Sequence, residues 1–252
     1  MKQTILKYSS LLALLSAPFF STQTFAAECE TGTVPATGCS IDVSDITYTL
    51  TGDITVNSAA DAGILLASDT AIINYTGSIS IRQNGVGFAN LNDNNTMNMT
   101  GNINIAADVP DRQGVIFSLG ENNTFNLTGN ILTANTSGRG VRYLFGGANT
   151  GKVEGNITTT GDGAYGIAID GGNLNNHTQT GNITTAGNAA HGIYVSSYEL
   201  NTPESNTINL TGNITTAGVN ARGLALFESD SNTTNLTGNI TTAGDGAHGL
   251  SL

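Results

Sequence analysis

The sequence contains few basic residues, no tryptophan and only two cysteines. Its 8 Lys and Arg residues stand against 19 Asp and Glu residues, which gives a formal net charge of −11. Nucleic acids and anionic lipid surfaces are bound through clusters of basic residues. We therefore expect no nucleic-acid partner. After residue 26 the chain also lacks any apolar run near the ~20 residues that a membrane helix needs.

A predominantly apolar run occurs near the N-terminus, where residues 11–20 follow the basic residues Lys2 and Lys7. Small residues, Ala26 and Ala27, end this segment. The arrangement is typical of a secretory signal peptide, and the apolar run is too short to span a bilayer stably. We predict a signal peptide over residues 1–26, cleaved after Ala26 or, as the alternative, after Ala27. The protein is therefore expected to be exported.

The two cysteines, Cys29 and Cys39, lie just after this segment, and no histidine is close enough in sequence to complete a metal site with them. Two closely spaced cysteines in an exported chain usually form a disulfide. We predict a Cys29–Cys39 disulfide in an N-terminal cap that spans residues 27–47.

The remaining chain, residues 48–252, is a repeat with a period of about 26 residues. The clearest copies are TGNITTAGNAAHGIYV from Thr180, TGNITTAGVNARGLAL from Thr211 and TGNITTAGDGAHGLSL from Thr237. A period of this length is typical of stacked repeat architectures, in which each unit buries its apolar face against its neighbours.

Apolar residues alternate with Asn and Thr within each copy, as at Ile208, Leu210 and Ile214. Alternation with a period of two predicts short strands with one buried face. A glycine such as Gly212 interrupts each apolar row, which suits a corner where the chain changes direction. We therefore predict an all-β fold, a parallel β-helix or β-solenoid of about eight coils of about 26 residues.

Polar residues recur at fixed places in the repeat, and we expect them to face outward and form hydrogen-bonded ladders along the stack. The two columns are Asn102, Asn130, Asn156, Asn182, Asn213 and Asn239, and Thr159, Thr185, Thr216 and Thr242. His177 and Gln179 stand where the next copy has apolar residues. That strand should therefore either bulge or carry a polar pair inward.

The copies are more widely spaced around residues 196–206, which indicates an insertion. Insertions protrude from the side of a solenoid and often carry its contacts. We name Tyr198, Glu199, Pro203 and Glu204 as a candidate contact loop. The alternative is an insertion that the fold merely tolerates.

The three histidines provide no recognisable catalytic pair, because no nucleophile motif accompanies them. His191 and His248 share a repeat position with Tyr165 and Arg222. A position that accepts such different side chains predicts an exposed corner.

The acidic residues likewise provide no paired carboxylates. Asp162 and Asp245 share a turn position, but three coil steps would separate them by ~14 Å, which is too far for acid–base catalysis by a carboxylate pair. We therefore expect no enzyme activity, no cofactor and no metal site. The alternatives are an exported β-helical enzyme acting on polysaccharides and a truncated product without function.

The signal peptide, the richness in Asn, Thr and Gly, the scarcity of Lys, the absence of Trp and the TGNITTAG repeat together resemble the passenger domains of bacterial autotransporters, the type V secreted surface proteins. The resemblance covers residues 29–252 and implies a right-handed coil. It implies an adhesin or a self-associating protein, at the cell surface or outer membrane or secreted, whose partners are host-cell or matrix molecules or copies of itself.

Such passengers are followed by a C-terminal β-barrel translocator, and this sequence reaches Leu252 in the middle of a coil. We expect either the N-terminal part of a longer protein or a truncated reading frame. A chain that truly ended there would remain in the periplasm.

Overall fold

The computed structural model describes residues 28–57, 62–82, 85–106, 110–198 and 202–252. The expected signal peptide and its cleavage residues, Ala26 and Ala27, lie outside the described residues, as does Glu199 of the candidate contact loop. Every regular element in the described ranges is a strand. Accordingly, no helix in those ranges is long and apolar enough to cross a membrane.

The strands form three parallel sheets, which we call sheets I, II and III. Sheet I contains β1 (Gly32–Thr33), β3 (Thr47–Thr51), β6 (Ile72–Thr76), β9 (Thr96–Thr100), β12 (Thr124–Thr128), β15 (Thr150–Glu154), β18 (Asn176–Thr180), β21 (Thr207–Thr211) and β24 (Thr233–Thr237). Sheet II contains β4 (Ile54–Val56), β7 (Ile79–Ile81), β10 (Ile103–Ile105), β13 (Ile131–Thr133), β16 (Ile157–Thr159), β19 (Ile183–Thr185), β22 (Ile214–Thr216) and β25 (Ile240–Thr242). Sheet III contains β2 (Cys39–Ile41), β5 (Ala62–Leu66), β8 (Val86–Asn90), β11 (Gln113–Ser118), β14 (Arg139–Leu144), β17 (Tyr165–Asp170), β20 (Ile193–Ser196), β23 (Arg222–Phe227) and β26 (His248–Ser251).

Each coil passes through sheets I, II and III in that order, and each strand pairs in parallel with the equivalent strand of the next coil. Only an arrangement of stacked coils returns every strand to the same sheet one repeat later. The fold is therefore the parallel β-helix that the repeat predicts, with about eight turns about 26 residues apart.

The core consists of aliphatic columns that run along the stack. Ile157 pairs with Ile183, Ile183 with Ile214, and Ile214 with Ile240. The first three side chains are no more than 1% exposed, and Ile240 packs against the same cluster from the last coil. Burying one such side chain contributes about 1.5–3 kcal/mol, so these columns account for much of the stability of the stack.

The corner between sheets I and II needs glycine. Gly181 has a φ of +127°, and a Cβ atom at this position would overlap the carbonyl oxygen of Gly155 in the preceding coil. L-residues rarely adopt this backbone conformation. The glycine that interrupts the apolar row therefore permits both the turn and the close approach of successive coils.

The first coil is closed by a disulfide between Cys29 and Cys39, whose Cα atoms lie 5.1 Å apart. The strands around it already belong to the stack, because β1 pairs with β3 in sheet I and β2 pairs with β5 in sheet III. The crosslink thus ties the first coil together at its entry.

One predicted polar column is outward and the other is not. The corner asparagines form an exposed ladder in which each backbone N–H after the first donates to Oδ1 of the equivalent asparagine in the preceding coil, over 2.8–2.9 Å: Asn102, Asn130, Asn156, Asn182, Asn213 and Asn239. The prediction for Thr159, Thr185 and Thr216 is wrong, because all three are fully buried. They follow Ile at a spacing of two, which returns them to the inner face.

A second, unpredicted asparagine ladder lies inside the corner between sheets III and I. It consists of Asn95, Asn123, Asn149, Asn175, Asn206 and Asn232. Each Oδ1 accepts the backbone N–H of the preceding member over 2.8–3.0 Å, and each Nδ2 donates to a backbone carbonyl of the preceding coil. The ladder satisfies buried polar groups of the turn.

Candidate functional site

The three outer faces of the β-helix differ in chemistry. Sheets I and II present mainly Thr and Asn, as in the outward residues Thr124, Asn126 and Thr128 of β12. Among the described residues, the aromatic side chains outside the core belong to sheet III or to the segments that leave it: Phe145, Tyr165, Tyr194, Tyr198 and Phe227. The outer side of sheet III is therefore the candidate binding face.

Six side chains on this face form one stack, which we call the aromatic–arginine patch: Arg139, Tyr165, His191, Tyr194, Arg222 and Phe227. They come from four successive coils, and each stands at or near a strand of sheet III: β14, β17, β20 or β23. Parallel pairing of the strands places equivalent side chains ~4.8 Å apart, a spacing at which planar groups stack.

The patch has aromatic rings at its centre and guanidinium groups at both ends. The ring centroids of Tyr165 and Tyr194 are 4.5 Å apart, and those of Tyr194 and Phe227 are 5.9 Å apart. The guanidinium carbon of Arg139 lies 5.4 Å from the centroid of Tyr165, and that of Arg222 lies 5.2 Å from the centroid of Phe227. These contacts hold the rings in place on an exposed sheet face.

His191 lies inside this stack, so the prediction of an exposed corner is wrong for it. The side chain is 4% exposed and is parallel to the ring of Tyr165, at a centroid distance of 5.0 Å. Its Nδ1 accepts the backbone N–H of Arg222 over 3.0 Å. Burial, with the nearby Arg222 charge, lowers the pKa of His191 to about 4. His248 of the last coil, at the same repeat position, is exposed as predicted.

A buried ion pair lies in the same sheet. The Arg142 Nε donates to the Asp170 carboxylate over 2.7 Å, and both side chains are 6% exposed. The ring of Tyr198 is edge-on to Phe145 at 5.1 Å and lies 5.9 Å from the guanidinium carbon of Arg142. Burial lowers the pKa of Arg142 and the Asp170 carboxylate opposes that effect. The pair orients Arg142 beneath the Tyr198 ring.

The described residues of the candidate contact loop have different neighbours. Tyr198 is 42% exposed and extends the aromatic surface of sheet III. Pro203 is buried in the corner that leads to sheet I, where its carbonyl accepts from Asn232 Nδ2 over 2.9 Å. Glu204 is exposed, but its backbone continues the coil, because its N–H donates to Asn173 Oδ1 over 2.9 Å. Tyr198 is therefore the member placed to contribute to a binding face.

The acidic turn residues belong to a corner ladder. Asp162 Oδ1 accepts the backbone N–H of Asn188 over 2.7 Å, and Asn188 Oδ1 accepts that of Val219 over 3.0 Å. Two coils, represented by Asn188 and Val219, thus separate Asp162 from Asp245 in this column. Within the described ranges, no group of three or more His, Cys, Asp or Glu residues could hold a metal ion.

The aromatic–arginine patch is not among the predicted sites, although the sequence contains its signal. Arg139, Tyr165, His191, Arg222 and His248 occupy equivalent repeat positions. All five side chains are planar, and planar groups at the spacing of parallel strands can stack. The residue type varies at this position, but every occupant can stack on its neighbours. The position is therefore constrained by stacking and is not a freely variable corner.

The fold and its surface define a class of structure, the parallel β-helix with one aromatic outer face. Comparison of the chain with protein-family models, with curated proteins and with solved structures finds no match.

Proposed function

We propose that the chain is the shaft of an exported bacterial surface protein of the autotransporter passenger type, and that its role is to make contacts rather than to catalyse a reaction. The N-terminal sequence supports export. The stacked coils support a shaft, because a β-helix displays side chains at fixed intervals along its length. The resemblance of the repeat to autotransporter passengers supports the family.

The single observation that carries the proposed binding role is the concentration of non-core aromatic side chains on sheet III. Tyr, Phe and Arg are enriched at the energetic centres of binding surfaces, whereas surface Thr and Asn are not distinctive. Tyr194 and Phe227 are partly exposed on this face. A partner that covered them would bury their exposed apolar surface, and it would not have to order the rings, which their neighbours already hold in place.

Adhesion and self-association are the two kinds of contact that this role includes. In either case a single patch gives weak binding, and many copies on one cell surface multiply it, because linked sites bind with a high effective concentration. The partner is a host-cell or matrix molecule in the first case and a second copy of the chain in the second.

The test compares two faces of the same rod. Cells that display the chain are assayed for adherence to host cells and matrix and for settling of the culture. Replacing Tyr194 and Phe227 with Ser should abolish the activity that the wild type shows. The matched control replaces Thr184 and Thr215, which are exposed on sheet II, and should leave it unchanged. Equal activity of both variants, with equal display, would contradict the proposed binding face.

A further inference from the structure

We infer that the aromatic–arginine patch binds a carboxylate-bearing sugar, with Arg222 as the residue that receives the carboxylate. This inference rests on the proposed function and names the chemistry of its ligand. Three features of the patch carry it: an arginine without an acidic partner, phenolic hydroxyl groups without partners, and the small size of the surface.

Arg222 differs from the other two arginines of sheet III. Arg139 pairs with Asp111 over 3.2 Å and Arg142 pairs with Asp170 over 2.7 Å. Arg222 has no carboxylate within ion-pair distance among the described residues, and its Nε lacks a hydrogen-bond partner there. Its terminal nitrogens make no hydrogen bond or ion pair with the described residues, and a guanidinium binds a carboxylate through two parallel hydrogen bonds.

The position of Arg222 is fixed before any ligand arrives. Its guanidinium stacks on Phe227 at 5.2 Å, and its backbone N–H donates to His191. A fixed guanidinium loses less conformational entropy on binding than a free surface arginine does. The rest of the acidic chain repels anions of high charge density, which favours a ligand with a single carboxylate per sugar unit over a nucleic acid.

The phenolic groups beside Arg222 suit sugar hydroxyls. Neither Tyr165 nor Tyr194 has a hydrogen-bond partner for its hydroxyl among the described residues, and both side chains are partly exposed. A phenol both donates and accepts, as a sugar hydroxyl does. Because the ring faces are covered by their neighbours in the stack, the ring edges and hydroxyls are what a ligand meets.

The size of the patch favours a small ligand. The stack spans four coils, which at ~4.8 Å per step is roughly 14 Å along the axis. A stable protein–protein interface uses about 20–30 residues on each side, and the patch supplies far fewer. A length of roughly 14 Å is that of a short oligosaccharide.

The experiment measures binding of the purified chain to a galacturonic acid trisaccharide and to its methyl ester, and to sialyllactose and lactose, by calorimetry at low salt. The first pair differs only in the esterification of the carboxylates, and the second differs in the whole sialic acid residue that carries the carboxylate. We expect at least one acidic member to bind, its uncharged counterpart to bind about tenfold or more weakly, and added salt to weaken the acidic one.

The variant Arg222→Gln should lose about tenfold or more in affinity for the acidic sugar. Arg82→Gln is the matched control, since Arg82 is an exposed arginine that follows sheet II strand β7, and it should bind like the wild type. Tyr194→Phe, which keeps the ring, should weaken the binding of both members of each pair.

Absence of binding to both acidic sugars, equal loss in the two arginine variants, or tighter binding of a poly-glutamate peptide would overturn the inference. The proposed function is tested separately by the display assay. Loss of adherence or settling in the Tyr194 and Phe227 variant, combined with no sugar binding by the wild type, would leave the contact role standing and reject the acidic sugar.

Discussion

The hydroxyl oxygen of Tyr143 lies 2.9 Å from Nδ1 of His177, and both side chains are completely buried in the centre of the β-helix. His177 and Gln179 point inward in regular register with Ile208 and Leu210, without a bulge. The amide Nε2 of Gln179 donates to the carbonyl of Gly155 over 2.5 Å. This coil therefore carries a polar pair within a core that is mainly apolar.

The first prediction concerns pH. Burial lowers the pKa of His177 to about 4, against an ordinary value of 6.5. The unfolded chain therefore binds more protons than the folded chain between these pH values. The free energy of unfolding should be highest above pH ~6.5 and should fall as the pH decreases toward 4. The loss from this residue is up to about 3 kcal/mol. Denaturant unfolding at a series of pH values measures it.

Removing the imidazole should flatten that dependence. His177→Leu is expected to be less sensitive to pH between 7 and 4, whatever its absolute stability, while His248→Gln, in an exposed position, should keep the wild-type slope. His191 contributes a slope of the same sign, because its pKa is also lowered to about 4. An unchanged slope in His177→Leu would show that this histidine is not buried in its neutral form.

The second prediction compares the two asparagine ladders. Asn149→Ala removes the acceptor of the buried Asn123 backbone N–H and should cost about 2–3 kcal/mol, because that donor is left without water or protein. Asn156→Ala removes the equivalent acceptor for Asn182 in the exposed ladder, where water replaces it, and should cost about 1 kcal/mol or less. Similar costs, measured by chemical denaturation, would contradict the different burial of the two ladders.

The third prediction concerns the corner glycines. Gly181→Ala forces an unfavourable backbone conformation and an overlap with the preceding coil, and should destabilise by about 1–3 kcal/mol or more. Gly249→Ala is the control, because its Cβ would meet only Ile240 Cγ2, at 3.8 Å, which is an ordinary van der Waals contact. It should be close to neutral in thermal unfolding. Equal melting temperatures for the two variants would show that the corner does not require glycine.

The repeat predicts the core well because its signal is local and periodic. Ile183 and Ile214 follow the same glycine in each copy, and stacking in register is the way short strands of this kind bury one face. Thr185 is predicted from the sequence to face outward because it carries a hydroxyl group. The strand alternates strictly from Ile183, so Thr185, two residues later, faces inward. Its Oγ1 donates to the carbonyl of Ala190 over 3.1 Å, which makes burial tolerable.

The candidate binding face is harder to predict because its members lie outside the TGNITTAG part of the repeat. Tyr194 and Phe227 come from different outward rows of β20 and β23, and their contact depends on the tilt of the rings. No sequence period relates them. The sequence does contain the column of planar residues that includes Tyr165 and His191. If each repeat forms one coil and the strands pair in parallel, that column predicts stacking.

The fourth prediction concerns ion pairs on two faces. Asp170→Asn leaves the buried Arg142 without its charged partner and should cost about 3–5 kcal/mol. Glu154→Gln breaks the exposed pair with Lys152 on sheet I and should leave stability unchanged, since solvent screens that pair. Equal unfolding free energies for both variants would indicate that the outer side of sheet III is open to water at Arg142.

The core, the ladders and the candidate binding face all depend on one register, in which equivalent residues of neighbouring coils lie side by side. Disulfide formation tests it directly. Thr184 pairs with Thr215, and Thr215 pairs with Thr241, all three outward on sheet II. Cysteines at 184 and 215 would have Cα atoms ~4.8 Å apart and should crosslink, whereas cysteines at 184 and 241 would be ~10 Å apart and should not. Mass spectrometry of the oxidised, folded double variants should find the first crosslink alone; the second crosslink, or neither, would contradict the stacked register.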